Sequence, residues 1–162
     1  MTAPRKGEPA PEFELPATGG ETLRLSELRG RTVALFFYPK ANTPGCTQEG
    51  QDFRDLHEHF EALGVVVLGI SRDGLKAQEN FRAKHEFPFR LLSDKDEQAC
   101  AAYQVIKDKT MFGKPARGIQ RSTFLIDRNG VLREEWRNVK VNGHAAEVLE
   151  AARGLADASG TA

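Results

Sequence analysis

The chain has 162 residues, 40% of them hydrophobic, and 23 lysines and arginines stand against 23 aspartates and glutamates. That length suits one domain spanning residues 1–162 with a core of its own. The even charge balance gives nucleic acid or a membrane surface nothing to attract, and no apolar run approaches the ~20 residues of a spanning helix.

The first stretch, Met1–Phe13, is polar and proline-rich and lacks the apolar segment of a secretory signal. The cytoplasm is therefore the expected compartment, and residues 1–11 and 154–162 are expected to be loose ends. Phe13–Leu15 and Leu23–Leu25 flank Gly19-Gly20 and read as a hairpin. Thr32–Tyr38 and Val65–Ile70 are unbroken apolar runs, the pattern of strands buried on both faces. Between them Phe53, Leu56, Phe60 and Leu63 recur at helical spacing and predict one amphipathic helix.

Asp73 is the expected N-cap of a helix through Leu75, Phe81 and Ala83, and Leu91-Leu92 reads as a short strand. Ser93 or Asp94 is expected to cap a third helix carrying Ala99, Cys100, Ala102 and Tyr103. Lys107, Lys109, Lys114, Arg117 and Arg121 read as a solvated basic loop around Met111-Phe112-Gly113. Thr123–Ile126 and Val131–Trp136 flank Asp127-Arg128-Asn129-Gly130, a hairpin signal, and a last helix starts near His144. A hairpin, a β-α-β-α alternation and a closing hairpin with a helix predict an α/β fold around a sheet of mixed direction.

Two cysteines, Cys46 and Cys100, are too few for a disulfide framework, so each is a buried hydrophobe or a reactive thiol. Cys46 stands in the run Pro39-Lys40-Ala41-Asn42-Thr43-Pro44-Gly45-Cys46. Pro39 ends the preceding strand, because it has no N–H for the ladder. Thr43 followed by Pro44 has the form of an N-cap and first helical residue. Cys46 then lies in the first helical turn, where free N–H groups and the helix dipole favour thiolate over thiol. The Thr43 hydroxyl, three residues away, is placed to hydrogen-bond beside the sulfur, and Pro39 to shield it.

The spacing Pro39-xxx-Thr43-xx-Cys46 resembles the active-site motif of the peroxiredoxins. The longer run from Phe37 to Glu49 is similar to the peroxiredoxin Q, or bacterioferritin comigratory protein, subfamily. Gly118–Asp127, Leu91–Asp94 and Val141-Asn142-Gly143-His144 also resemble segments of that subfamily, and the likeness runs from about Gly7 to Ala152. The resemblance implies a thioredoxin-like fold with an added N-terminal β-hairpin, and an antioxidant peroxidase acting on hydrogen peroxide and organic hydroperoxides. It implies that Cys46 is the nucleophile, that Thr43 bonds the thiolate and peroxide, that Arg121 holds the thiolate ionised, and that Pro39 shields the site. Glu49 is placed either to orient Arg121 or to lie on the helix surface. No cofactor or metal is expected: His57 and His59, two apart on a helix, do not face each other.

Many relatives carry a second, resolving cysteine at the place of Gln51 or of Arg82. Cys100 is the remaining candidate, but it is expected about two turns into its helix, on a packed face. A one-cysteine cycle follows, with thioredoxin, glutaredoxin or a low-molecular-weight thiol as reductant and the protein a monomer or weak dimer. Two rivals are a thioredoxin-like thiol-disulfide oxidoreductase, in which Thr43 takes the place of a first cysteine, and a redox-sensing interaction module.

Overall fold

The chain is described from a computed structural model that covers residues 3–158. Among the described residues nine strands and five α-helices follow in order: β1 (Glu14–Ala17), β2 (Glu21–Arg24), β3 (Thr32–Phe37), α1 (Pro44–Asp55), α2 (His57–Ala62), β4 (Val65–Ser71), α3 (Leu75–His85), β5 (Arg90–Ser93), α4 (Gln98–Ala102), β6 (Ile106–Met111), β7 (Lys114–Ile119), β8 (Ser122–Ile126), β9 (Leu132–Arg137) and α5 (His144–Ala158). Gly19 and Gly20, at φ 92° and 76°, make the turn between β1 and β2.

The two apolar runs become the centre of a seven-stranded sheet ordered β2-β1-β5-β4-β3-β8-β9. β3, β4 and β5 are parallel neighbours, whereas β8, β9 and the N-terminal hairpin add antiparallel edges. This is a thioredoxin-like mixed sheet with an extra N-terminal hairpin, as expected.

Side-chain alternation along these strands splits the core in two. Val33, Leu35 and Phe37 point to one face, where they meet Leu25, Cys100 and Tyr103. Ala34, Phe36 and Tyr38 point to the other, against Cys46, Phe53, Phe60, Phe81 and Val148. The helices α1, α2, α3 and α5 thus cover the face that holds Cys46, and α4 covers the opposite one.

Several expectations are corrected. The helix after Cys46 is two helices, broken at Leu56 (φ −100°, ψ 2°). The bend keeps both Phe53 and Phe60 fully buried, with ring centroids 5.8 Å apart. Asp73 does not cap α3, whose N-cap is Gly74; its carboxylate instead accepts from Ala41 N at 2.8 Å and Ser71 Oγ at 2.6 Å. α4 starts later than expected, with Glu97 as N-cap, although Asp94 still reaches the Cys100 N–H at 2.7 Å. Cys100 is therefore the third residue of a short helix, not two turns into a long one.

The basic loop is a ribbon: β6 and β7 pair antiparallel from Ile106↔Ile119 to Met111↔Lys114. Glu97 clasps it to the body through Arg117 and, at 2.9 Å, Arg72. Gly7 N, Ala10 N and Leu132 N bond across to Leu132 O, Gly130 O and Glu8 O at 2.8–2.9 Å, and α5 continues to Ala158. Residues 1, 2 and 159–162 lie outside the described residues.

Candidate active site

β3 ends at Phe37, and a loop from Tyr38 carries the chain to α1, with Thr43 in extended conformation (φ −82°, ψ 153°) as N-cap and Pro44 as first helical residue. Cys46 thus sits in the first turn, and it is 1% exposed. The Thr43 hydroxyl does not cap the helix; it donates to the Lys40 carbonyl at 2.8 Å and closes the loop. Pro39 is half-buried just beyond the end of β3. A buried network holds this loop from behind. Tyr38 Oη donates to Gln78, Gln78 Nε2 donates to Ser71 Oγ at 2.9 Å, and Ser71 Oγ donates to Asp73, which receives the Ala41 N–H.

Arg121 arrives from the two-residue break between β7 and β8. Its Nη2 donates to Cys46 Sγ at 3.5 Å, and its Nη1 to Glu49 Oε1 at 2.7 Å. One planar fork therefore joins two residues a helical turn apart. Glu49 is not on the surface: it is 1% exposed, and its second oxygen, Oε2, is buried without a hydrogen-bond partner. Burial pushes its carboxyl up to about 7, outweighing the opposing pull of Arg121. For Arg121 the balance runs the other way. Burial works to lower its pKa, but the charges of Glu49 and Cys46 together raise it.

A groove of about 610 Å³ opens between α1 and the start of α5, lined by Gly45, Gln48, Leu56, Val141, Ala145 and Ala146. It brings solvent to the residue next to Cys46. Close by, His144 is 5% exposed, and its Nε2 lies 2.8 Å from Thr123 Oγ1. Burial lowers its pKa to about 4, Arg121 acting in the same direction and Glu147 against it.

Thus Cys46, Arg121 and Glu49 are brought into contact, with Thr43 and Pro39 in the adjoining loop. Cys100 is not part of this group. It is fully buried on the opposite face of the sheet, and burial, then Asp94, pushes its thiol well above the ordinary range. The loop-holding set of Gln78, Ser71 and Asp73 had no sequence signal, because its members meet only when β4, α3 and the Tyr38 loop come together. His144 was visible only as the start of the last helix and the end of the Val141–His144 segment.

A first-turn thiol behind a central parallel strand, with a fixed guanidinium on its sulfur, defines a thioredoxin-fold protein built for cysteine redox chemistry. Residues 6–135 match the AhpC/TSA family. Peroxiredoxin Bcp of Bacillus subtilis is 46% identical over 151 residues, covering 93% of this chain and 96% of its own. A solved bacterioferritin comigratory protein of Xanthomonas campestris superposes with a TM-score of 0.85 at 46% identity, over 89% of this chain and 92% of that one. A cysteine-to-serine variant of PrxQ from Xylella fastidiosa gives 0.90 at 41% identity, over 96% and 99%. The chain belongs to the AhpC/TSA family of peroxiredoxins, within the group of Bcp and PrxQ proteins.

Proposed function

We propose that the chain is a thiol-dependent peroxidase that reduces hydrogen peroxide and organic hydroperoxides at Cys46. The observation that carries this is the Arg121 fork, one nitrogen 3.5 Å from Cys46 Sγ and the other held by Glu49. Its solved relative from Xanthomonas campestris is described by an alkyl peroxide reduction activity, which agrees with the groove beside Gly45.

The Cys46 thiolate attacks the terminal oxygen of the hydroperoxide. An S–O bond forms, the O–O bond breaks, and the remaining oxygen leaves with the electron pair and takes a proton from water. The products are Cys46 sulfenic acid and water or an alcohol. Arg121 is a fixed donor at the place where negative charge moves from sulfur to oxygen, so it needs no reorganisation during the step. Thr43, whose hydroxyl proton goes to the Lys40 carbonyl, keeps an oxygen lone pair to accept from the peroxide O–H, and Pro39 limits water around the sulfur.

The cycle uses one cysteine. Gln51 and Arg82 occupy the places where relatives carry a resolving thiol, and Cys100 packs in the core across the sheet. An external thiol, either thioredoxin, glutaredoxin or a low-molecular-weight thiol, condenses with the sulfenic acid to a mixed disulfide and releases water. A second thiol then frees Cys46. The chain works as a monomer or weak dimer in the cytoplasm, where free thiols persist. Among the described residues no helix is long and apolar enough to cross a membrane.

The test is peroxide consumption with each candidate thiol. Wild type should turn over with at least one of them, and Cys46→Ser with none. Turnover by Cys46→Ser would refute the assignment.

A further inference from the structure

We infer that His144 is a positioning residue for the peroxide step, holding Arg121 in line with Cys46 through Thr123. The inference rests on the reading of Cys46 as the peroxide-reactive thiol. Arg121 belongs to neither flanking strand, so its guanidinium depends on what fixes the neighbouring backbone. One segment, Asn138–His144, holds the stretch from Arg121 to Thr123 at two points. Val139 N donates to the Arg121 carbonyl at 3.0 Å. Two residues along, Thr123 pairs with Phe36 and so faces the Cys46 side of the sheet, and its hydroxyl meets His144 Nε2 at 2.8 Å. The segment closes on itself between these grips, with His144 N on Val141 O at 3.1 Å and Gly143 at φ 77°.

The ring also touches the helix that carries the thiol. Phe53 of α1 meets the imidazole edge-on at 6.2 Å, and Trp136 of β9 meets it at 5.7 Å. His144 is thus wedged between the element bearing Cys46 and the strand leading from Arg121. The chemistry of the site suits histidine. A phenylalanine would fill the space but leave the buried Thr123 hydroxyl without its partner. A lysine would set a second cation beside Arg121. An imidazole kept neutral by burial bonds Thr123 without competing for the sulfur.

The experiment compares two rates at Cys46 in the full chain: oxidation by tert-butyl hydroperoxide and alkylation by iodoacetamide. Alkylation needs the sulfur but no donor at a departing oxygen. His144→Phe should lower the peroxide rate about tenfold or more, since small misplacements of an aligned group carry that cost. Its alkylation rate should stay within about twofold, and His144→Gln, which restores a hydrogen-bonding partner, should recover most of the loss. Thr123→Val should reproduce the selective loss, and the double variant with His144→Phe should be no worse than either single one. A peroxide rate unchanged in His144→Phe, or peroxide and alkylation rates that fall together, overturns the inference. Should His144→Phe fail to fold, Thr123→Val decides by the same two rates. A wild type that alkylates but does not react with peroxide would instead remove the peroxidase reading itself.

Discussion

A Cβ built on Gly45 would lie 3.0 Å from Nη2 of Arg121. The missing side chain is what lets the guanidinium rest against the first turn of α1 and reach the sulfur. Gly45→Ala should therefore push Nη2 away from Cys46 by a few tenths of an ångström. The expected outcome is a peroxide rate lowered about tenfold with thermal stability nearly unchanged. Stopped-flow oxidation of the reduced protein checks it, and a full wild-type rate would show that the contact is idle.

Arg121→Lys should be more damaging. A single ammonium cannot span Glu49 Oε1 and Cys46 Sγ at once, as the two guanidinium nitrogens do. Losing an aligned donor at a developing negative charge costs on the order of 10²–10³ in rate. Peroxide titration of the variant should show a loss of at least about 10², against a small change for Arg90→Lys, whose guanidinium pairs with Glu21 at the surface.

Glu49 gives a pH test. Its folded carboxyl titrates near 7, above the ordinary 4.5, so between these values the native state binds more protons than the unfolded one. Stability from this group is present below about 4.5 and is lost as pH rises to about 7. His144 acts in the opposite sense, its ring being held at about 4 against 6.5, so that stability falls as pH drops through that window. Glu49→Gln removes only the carboxyl's pH dependence and leaves that of His144. Relative to wild type, the variant should gain more at pH 7.5 than at pH 4.5 in denaturant midpoints; an equal shift at both would contradict the assignment.

Cys100 should stay silent. One equivalent of peroxide should add one oxygen at Cys46, and further equivalents should drive it to sulfinic acid. A disulfide needs Cα atoms within ~7 Å, whereas Cys46 and Cys100 pack on opposite faces of the sheet. Cys100→Ala should turn over at nearly the wild-type rate with an external thiol. A loss of two mass units with Cys46 and Cys100 in one linked peptide would overturn the one-cysteine cycle.

Gly50 makes a prediction about stability. A Cβ there would fall 2.4 Å from Cζ of Phe87, which crosses α1 at that point. Gly50→Ala should cost about 1–3 kcal/mol by overpacking, despite alanine's better helix propensity. Urea unfolding measures it.

What the sequence made legible was local. The buried runs Thr32–Tyr38 and Val65–Ile70 became the central strands, and Thr43-Pro44 did mark the start of the helix that bears Cys46. Contacts between distant segments were a different matter. Arg121 is 75 residues from Cys46, and only the family resemblance pointed to it. Glu49 could not be told from a surface residue until β8 brought the arginine over it. The ribbon of β6 and β7 escaped because it has little core to face, so its strands lack an apolar alternation; Phe112 at its tip is 97% exposed. The break at Leu56 was hidden because Phe53, Leu56, Phe60 and Leu63 keep helical spacing across it.

The sheet that separates Cys46 from Cys100 would, in the proposed one-cysteine cycle, also set the kinetic order of recovery. In a chain with a resolving thiol nearby, the oxidised form decays by a unimolecular step, indifferent to its surroundings. In the one-cysteine cycle proposed above, that step would be replaced by an encounter, and the half-life of the sulfenic acid would scale inversely with the concentration of solute thiol. Further oxidation is also an encounter, with peroxide. The fraction of molecules surviving each turnover would then be a ratio of two fluxes, and the protein's loss of activity would be a running record of how often thiol supply fell behind peroxide.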